Sequence, residues 1–404
     1  MTLDHEAFRA LLAGEPLPAL VIDLDAFDAN VARHVAIVRA HGLTLRPATK
    51  SIRVPALVRR VLDRGGDAVR GLLCYAVAEA EALARLGFDD LLVAYPPWQA
   101  SDLDRVVRLT REGVRVSVAC DAPDALLRLS AAGAAAGVRV AVTLCVDMSL
   151  RLLGGRVHLG VRRSPLRDED DVLALARAAA ALPGVRLAGV LAYEAQVAGL
   201  GDDNPGEPAQ NAAKRWLKRA SARELGARRS RIAQRLAREG FALDHVNGGG
   251  TGSLDTTTRD TGVTEVSAGS GFFKPALFDR FAGAHVRALE PACFFALEVT
   301  RVPAEGLVTC LGGGYVASGA PGADKLPLPW LPPGLALLAA EGAGEVQTPL
   351  RAPPGAALGR GSPVVFRHAK AGEVCERFRE ALFVSGGRIV DRAPTYRGLG
   401  HCFF

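Results

Sequence analysis

Lys50 differs from the other basic residues of this chain in its position. It lies in the segment Leu45-Arg-Pro-Ala-Thr-Lys-Ser51 and is the only lysine among the first 213 residues, where arginine is the usual basic residue. Arginine stays protonated, whereas a lysine whose pKa is lowered by burial can act as a nucleophile and form a Schiff base. An isolated lysine is usually a surface residue, so this chemistry requires a pocket around Lys50.

Two glycine-rich segments provide a second indication of chemistry. They are Asn247-Gly-Gly-Gly-Thr-Gly-Ser253 and Ala268-Gly-Ser-Gly271. Consecutive glycines let backbone N–H groups approach an anion closely, and the hydroxyl groups of Thr251 and Ser270 add further donors. Each segment alone is explained equally well as a tight turn. Whether these segments bind an anion therefore depends on where the fold places them.

Eight short β-branched or apolar runs alternate with helical segments over residues 43–271. Strands that alternate with helices form parallel sheets, and eight such units in about 230 residues match the size of a (β/α)8 barrel. A doubly wound open sheet is the alternative, but no Gly-x-Gly-x-x-Gly follows the first strand. We therefore predict an α/β fold, a (β/α)8 TIM-type barrel. Its predicted strands are Thr44–Pro47, Gly71–Tyr75, Leu91–Ala94, Arg115–Ala119, Arg139–Val146, Leu187–Ala192, Leu243–Asn247 and Thr264–Ala268.

This barrel would bring the lysine and the glycine segments together. In such barrels the active site forms at the carboxyl ends of the strands, and phosphate sites favour the loops after strands seven and eight. Lys50 follows the first predicted strand, and the two glycine segments follow the seventh and eighth. A Schiff-base lysine opposite a phosphate site predicts that pyridoxal 5′-phosphate is the cofactor.

After residue 281 the pattern changes to strand-like alternation between proline- and glycine-rich turns. We predict a C-terminal antiparallel β domain over residues 281–404, following a cofactor-binding barrel over residues 25–280. Residues 1–24 contain one further strand, Ala19–Leu24, which we expect to join the C-terminal sheet. The segment Gly319–Gly361 is interpreted as long loops. The predicted C-terminal strands are Cys293–Val302, Leu307–Leu311, Pro363–Arg367, Glu380–Val384 and Arg388–Asp391.

Composition argues against several other classes of protein. The chain has 404 residues, of which 49% are hydrophobic, so intrinsic disorder is excluded. No apolar stretch reaches the roughly 18–20 residues of a membrane helix, and the N-terminus lacks the pattern of a secretory signal. Seven irregularly spaced cysteines indicate reduced thiols and a cytoplasmic protein. The basic run from Lys214 to Arg235 is interpreted as a solvated helix face, so we expect neither nucleic acid nor membrane as a partner.

The order of these motifs resembles that of fold-type III pyridoxal phosphate enzymes. The resemblance extends from Leu17 to Arg392, and within these enzymes it is to the D-threonine aldolase and D-serine dehydratase group, including proteins described as amino acid deaminase/aldolase. It implies that Lys50 forms the Schiff base and that Tyr193 contacts the cofactor. It also implies that the phosphate is held by Gly249, Gly250, Thr251, Gly269 and Ser270. Besides the segments around Lys50, the motifs are Pro18-Ala-Leu-Val-Ile-Asp-Leu-Asp25, Ala192-Tyr-Glu194, Gly248-Gly-Gly-Thr-Gly252 and Glu265-Val-Ser-Ala-Gly-Ser270.

Two positions depart from that group. Where the group has Arg-x-Gly-Val, this chain has His158-Leu-Gly-Val161 followed by Arg162 and Arg163. Either arginine is a candidate to face the cofactor or the substrate carboxylate, and we take Arg162 as the cofactor contact. Metal-binding members of the group carry a second ligand two residues after a histidine. In this chain His368 matches that histidine, but Lys370 occupies the second position.

Three interpretations of that segment remain open. In the first, His368 binds a divalent metal, zinc or manganese, together with Cys375, Glu373 or a residue from elsewhere in the chain. Alternatively, the ammonium group of Lys370 supplies the positive charge that the metal supplies in the relatives. In the third interpretation His368 is an ordinary hydrogen-bonded histidine. Because a protonated lysine cannot bind a metal, we predict weak or absent dependence on divalent metals.

The resemblance implies a pyridoxal-phosphate-dependent lyase that acts on β-hydroxy D-amino acids. The reaction is either retro-aldol cleavage, as in D-threonine aldolase, or deamination, as in D-serine dehydratase, with Lys50 and His368 as the catalytic residues. An amino acid racemase of the same fold is the alternative, with Tyr315 or Tyr396 as its second base. A non-catalytic pyridoxal-phosphate-binding protein is another. We expect a homodimer whose only other partner is a small-molecule D-amino acid substrate.

Overall fold

Helices and strands alternate through the first two thirds of the chain. The structure is a computed structural model that describes residues 4–403. The first half of this region contains α1 (His5–Leu11), β1 (Ala19–Asp23), α2 (Leu24–Ala40), β2 (Thr44–Pro47), α3 (Pro55–Gly65), β3 (Leu72–Cys74), α4 (Val77–Arg85), β4 (Leu91–Val93), α5 (Ala100–Arg111), β5 (Val116–Cys120), α6 (Pro123–Ala135) and β6 (Val140–Cys145). The second half contains β7 (Leu150–Leu152), β8 (Val157–Leu159), α7 (Glu169–Ala181), β9 (Val185–Ala192), α8 (Ala195–Ala198), α9 (Pro208–Arg238), β10 (His245–Gly248), α10 (Leu254–Thr257) and β11 (Glu265–Ala268).

Eight of these strands form a closed parallel barrel. The strand order is β2-β11-β10-β9-β6-β5-β4-β3, and parallel bridges from Leu45 to Val69 and from Ala48 to Leu73 close the ring between β2 and β3. All eight barrel strands predicted from the sequence are confirmed, with ends that agree within two residues. The hairpin β7–β8, which follows β6, was not predicted. The carboxyl ends of β2, β10 and β11 therefore share one mouth of the barrel, as the prediction required.

The C-terminal region forms a nine-stranded sheet together with the N-terminal strand. Strand β1 pairs antiparallel with β12 and parallel with β18, so the prediction that this strand joins the C-terminal sheet is confirmed. The parallel pair also means that the sheet is not purely antiparallel. The remaining elements are α11 (Ala284–Arg287), β12 (Cys293–Ala304), β13 (Leu307–Leu311), β14 (Leu328–Leu331), β15 (Ala336–Leu337), β16 (Gln347–Arg351), β17 (Pro363–Arg367), β18 (Glu380–Ser385) and β19 (Arg388–Pro394).

The segment Gly319–Gly361 was predicted wrongly as long loops. It contains three strands, β14, β15 and β16. These strands are only two to five residues long, and prolines interrupt two of them, at Pro329 and Pro349. Because such short runs give little alternation and proline argues against a strand, the local pattern did not reveal them.

One apolar core connects the barrel with the C-terminal sheet. It joins residues of the barrel layer, such as Val58 and Val266, to Phe295 on β12 and Phe366 on β17. The two phenylalanine rings are stacked with centroids 5.1 Å apart. This shared core holds the C-terminal sheet against the barrel. No helix within residues 4–403 is long and apolar enough to cross a membrane.

Candidate active site

A cavity of about 650 Å³ lies between the barrel and the C-terminal sheet. Lys50 lines it from a single 3-10 turn, Thr49–Ser51, that follows β2 directly. His368 and Lys370 line it from the loop after β17, and Tyr315 lines it from the loop after β13. The structure thus brings the two predicted catalytic residues, Lys50 and His368, to one cavity.

The environment of Lys50 lowers the pKa of its amine. The largest cause is desolvation by the surrounding protein atoms, although Lys50 itself is exposed to solvent. The next causes are the positive charges of Arg163, Lys370 and Arg53. A lower pKa increases the fraction of neutral amine, which is the nucleophilic form.

Arg53 holds the turn that carries Lys50. Its Nε donates to the Lys50 carbonyl at 2.9 Å, and its Nη1 pairs with Glu376 at 3.0 Å. Arg53 has a φ of 54°, a left-handed conformation that costs a non-glycine residue on the order of 1–3 kcal/mol. The two contacts offset this strain and fix the turn. Arg53 was not predicted as a site residue, because its partner Glu376 is far away along the chain.

The loop after β11 contacts the lysine turn directly. Ser51 Oγ and Ser270 Oγ are 3.1 Å apart, and since only one hydroxyl proton is used between them, the other is free for a ligand. A Cβ atom on Gly269 would lie 2.8 Å from both the Ala48 carbonyl oxygen and the Ser51 side chain. Only glycine permits this close approach, which places Ser270 beside Lys50.

Hydrogen bonds from its backbone amides fix the shape of the loop after β10. Gly249 N donates to Glu194, and Gly250 N donates to Ser253 Oγ, each at 3.1 Å. Thr251 Oγ1 accepts from Gly271 N at 3.0 Å, which joins this loop to the loop after β11. The amides of Gly249 and Gly250, which were predicted to hold a phosphate, thus already have hydrogen-bond partners within the protein.

Glu194 is the anchor of this loop, a role that sequence reasoning missed. Its carboxylate is buried and accepts hydrogen bonds from Gly249 N, Ser253 Oγ and Thr257 Oγ1. Arg229 of α9 pairs with Glu194 at 2.7 Å. The only indication in the sequence was the position of Glu194 directly after Tyr193.

The basic run of α9 is not simply a solvated face, so that interpretation was wrong. Arg228 and Arg229 are buried, and Arg229 also pairs with Asp260 at 2.5 Å. A buried arginine requires paired carboxylates. Those of Glu194 and Asp260 come from other parts of the chain, so the local pattern of α9 did not predict them.

Tyr193 lies between the loop after β10 and an arginine. A Cβ atom on Gly250 would be 3.1 Å from its ring, and the Arg163 guanidinium carbon lies 5.5 Å from the ring centroid. Burial raises the pKa of the Tyr193 hydroxyl to about 12, so this group stays protonated. Arg162 is exposed to solvent. Arg163 lies over the Tyr193 ring, and its charge lowers the pKa of Lys50. Arg163, and not the predicted Arg162, therefore links Tyr193 with Lys50.

His368 is buried with one ring nitrogen unpaired. Nδ1 lies 3.3 Å from the Cys293 carbonyl oxygen, whereas Nε2 has no hydrogen-bond partner among residues 4–403. Burial, and to a lesser extent the Arg367 charge, lower the pKa of the ring to about 3, so it is neutral. We assign the proton to Nδ1, which has the carbonyl partner. Nε2 is then an unpaired acceptor, and it is buried although His368 lines the cavity.

The donors around His368 do not fit a divalent metal. Lys370 Nζ donates to the Ser318 carbonyl at 3.2 Å, and Glu373 accepts from the amide and hydroxyl of Ser318 at 2.8 and 2.6 Å. Cys375 is buried, and its thiol interacts with Cys293. Within residues 4–403, no three His, Cys, Asp or Glu side chains group as metal ligands. Neither Cys375 nor Glu373 is thus placed to complete a site with His368.

The comparison with family models identifies the fold family. The model described as the alanine racemase N-terminal domain matches residues 22–274 of this chain. The chain belongs to this family. Membership in the alanine racemase N-terminal domain family agrees with the resemblance to fold-type III pyridoxal phosphate enzymes, and it implies pyridoxal 5′-phosphate as the cofactor.

Curated relatives of this family member carry the names of aldolases. The chain is 28% identical over 273 residues to a 3-hydroxy-D-aspartate aldolase of Paracoccus denitrificans, covering 68% of this chain and 64% of that relative. It is 29% identical over 265 residues to a D-threonine aldolase of an Arthrobacter species, covering 64% and 63%. The chain thus matches just under two thirds of the length of these relatives.

A solved structure agrees with the fold over nearly the whole chain. The D-threonine aldolase of Filomicrobium marinum superposes with a TM-score of 0.78, covering 96% of both chains at 23% identity. The likeness includes the C-terminal sheet, which lies beyond the part matched by the family model. It confirms the predicted barrel with a C-terminal β region.

Proposed function

We propose that this protein is a pyridoxal-phosphate-dependent lyase that acts on β-hydroxy D-amino acids. The observation that carries the proposal is the cavity that Lys50 and His368 both line. Lys50 provides the amine, and His368 a hydrogen-bonding group, for such a reaction. The names of the curated relatives, aldolases of 3-hydroxy-D-aspartate and D-threonine, support this reaction class.

The residues around Lys50 fit the proposed cofactor. A lysine amine with a lowered pKa can react with the aldehyde of the cofactor. The free hydroxyl proton of the Ser51–Ser270 pair can donate a hydrogen bond to its phosphate. We propose that Ser270 and Thr251 hold the phosphate, with Tyr193 and Arg163 beside the remainder of the cofactor. When bound, pyridoxal phosphate withdraws electrons from the carbon next to the substrate amine.

The side chains of this protein then perform the proton transfers. The Lys50 amine takes or returns the proton at Cα in the dehydratase reaction. In the aldolase reaction His368 Nε2 accepts a hydrogen bond from the β-hydroxyl group, whose proton leaves to solvent as the Cα–Cβ bond breaks. Lys370 provides a positive charge in the same cavity, where it stabilises negative charge on the substrate. Substrate enters and leaves through the same cavity.

We predict that the activity does not depend on a divalent metal. Dialysis against a chelator should change activity less than twofold, because Lys370 lies where the second metal ligand would be and the nearby carboxylate of Glu373 is bound to Ser318. The measurement is activity before dialysis, after it, and after addition of manganese or zinc. A large loss that metal restores, or one tightly bound zinc per chain, would contradict the prediction.

The reaction class is tested by product analysis. We expect D-threonine to give glycine and acetaldehyde, or D-serine to give pyruvate and ammonia, when each is incubated with the cofactor-loaded protein. D-alanine should be unchanged, and conversion to L-alanine would instead establish the racemase alternative. Tyr315 keeps that alternative open because it lines the cavity, whereas the Tyr396 hydroxyl is bound to Glu79. No product from any substrate would indicate a non-catalytic binding protein.

We further propose a homodimer and three regions. The regions are residues 1–24, which join the C-terminal sheet, residues 25–280, which form the cofactor-binding barrel, and residues 281–404, which form the C-terminal β domain. The pairing of β1 with β12 and β18 supports the assignment of the first region. The cavity lies between the barrel and the C-terminal sheet. A dimer interface would hold these two regions in place on either side of it.

A further inference from the structure

The C-terminal end of the described chain forms part of the cavity at Lys50. Cys402 and Phe403 line this cavity of about 650 Å³. A second cavity of about 480 Å³ adjoins it, and Phe403, Tyr75 and Tyr95 line both. The ring of Phe403 is therefore part of the wall between the two cavities.

The second cavity suits an apolar group. Most of its wall consists of aliphatic, proline and aromatic residues, including Val77, Val93 and Pro96. The charged residues at its edge, Asp102 and Arg105, form an ion pair with each other at 3.0 Å. Arg105 also pairs with Glu81 at 3.2 Å. With these charges paired, the aliphatic, proline and aromatic side chains form the apolar part of the wall.

Two tyrosines hold the Phe403 ring in its position. The ring centroid lies 6.2 Å from that of Tyr75 and 5.3 Å from that of Tyr396, in both cases edge to face. Such pairs add about 0.5–1.5 kcal/mol to the burial of the rings. His401 stacks on Phe403 at 5.3 Å, which orders the end of the segment.

One buried carboxylate fixes both tyrosines. Glu79 accepts from the Tyr396 hydroxyl and from the Tyr75 amide, each at 2.8 Å. The Tyr396 amide donates to the carbonyl of Arg53 at 2.9 Å, and Arg53 holds the Lys50 carbonyl. The position of Phe403 is thus tied through short contacts to the turn that carries Lys50.

We propose that Phe403 determines the size of the substrate side chain that the site accepts, by separating the cavity at Lys50 from the second, apolar cavity. This inference rests on the proposed function, because it assumes that an amino acid binds at Lys50. A small side chain fits within the first cavity. A bulky apolar or aromatic side chain reaches the second cavity only when the Phe403 ring is absent.

The test is the binding of amino acids that lack a β-hydroxyl group. Binding of D-alanine and D-phenylalanine to the cofactor-loaded protein is followed by the absorbance of the cofactor. Phe403→Ala should improve the affinity for D-phenylalanine relative to D-alanine by about tenfold or more. Leu399→Ala is the matched control, since Leu399 lies in the same segment, is 38% exposed and lines neither cavity. Its ratio of affinities should equal that of the parent.

An unchanged ratio in Phe403→Ala would overturn the proposal. Phe403→Leu keeps an apolar side chain, so it provides a second variant if the alanine variant does not fold, and its ratio should lie between those of the parent and Phe403→Ala. An unchanged ratio there would equally contradict the proposal. The binding measurement needs no turnover. A failure of D-threonine and D-serine to react would therefore refute the lyase reaction without deciding the role of Phe403.

Discussion

Lys50→Ala is expected to abolish the covalent adduct that borohydride traps between the protein and pyridoxal phosphate. Lyase activity should fall by at least about 100- to 10,000-fold, the range for loss of a positioned acid–base group. The physical reason is that Lys50 lines the cavity from the turn whose Ser51 contacts Ser270, and that its pKa is lowered there. The measurements are the absorbance spectrum with and without borohydride, and mass spectrometry of the peptide that contains residue 50.

Lys214→Ala provides the matched control for this result. Lys214 lies on α9 in an ion pair with Glu207 at 3.0 Å, outside the cavity at Lys50. It should leave the adduct and the activity unchanged. An adduct that persists on another lysine in Lys50→Ala would show that the Schiff-base assignment is wrong. Lys370 would then be the next residue to test, because it lines the same cavity.

Glu194→Ala is expected to lower the free energy of unfolding by about 3–5 kcal/mol. The substitution leaves the buried guanidinium of Arg229 with Asp260 as its remaining ion-pair partner. It also removes the acceptor of Gly249 N and Ser253 Oγ, so the loop after β10 loses its anchor. We therefore expect weaker binding of pyridoxal phosphate as well. Urea unfolding and a titration with the cofactor measure the two effects.

The control for this substitution is an exposed ion pair close to the same strands. Asp244 pairs with Arg186 at 2.7 Å, with side chains 50% and 44% exposed. Asp244→Ala should change the free energy of unfolding by less than about 1 kcal/mol, because solvent screens exposed pairs. If Glu194→Ala and Asp244→Ala had similarly small effects, the role of Glu194 as the anchor of the loop would be refuted.

Lys370 occupies the position at which metal-binding members of the group carry a second ligand. The sequence predicted that Lys370 disfavours a metal next to His368, and it left three interpretations open. The structure places Lys370 at the cavity and binds Glu373 to Ser318. The ammonium group of Lys370 donates to the Ser318 carbonyl at 3.2 Å. The chelator experiment remains the test.

Local patterns in the chain were enough to predict the eight-stranded barrel, the strand β1 of the C-terminal sheet, and the positions of Lys50 and the two glycine segments at one mouth. These features depend on local periodicity and on the rule that parallel strands end at the same side of a barrel, so they can be derived from neighbouring residues. The local patterns did not reveal β14, β15 and β16, because these strands are too short to show a period.

The long-range contacts around the cavity follow from the folded chain alone. Folding sets Arg163 against Tyr193, buries Glu194 against Arg229, and places Phe403 at the cavity of Lys50. The Tyr396 hydroxyl reaches Glu79 across 317 residues of sequence. A contact between residues so far apart leaves no pattern in either segment, because its free energy comes from burial and pairing that exist only once the chain has folded.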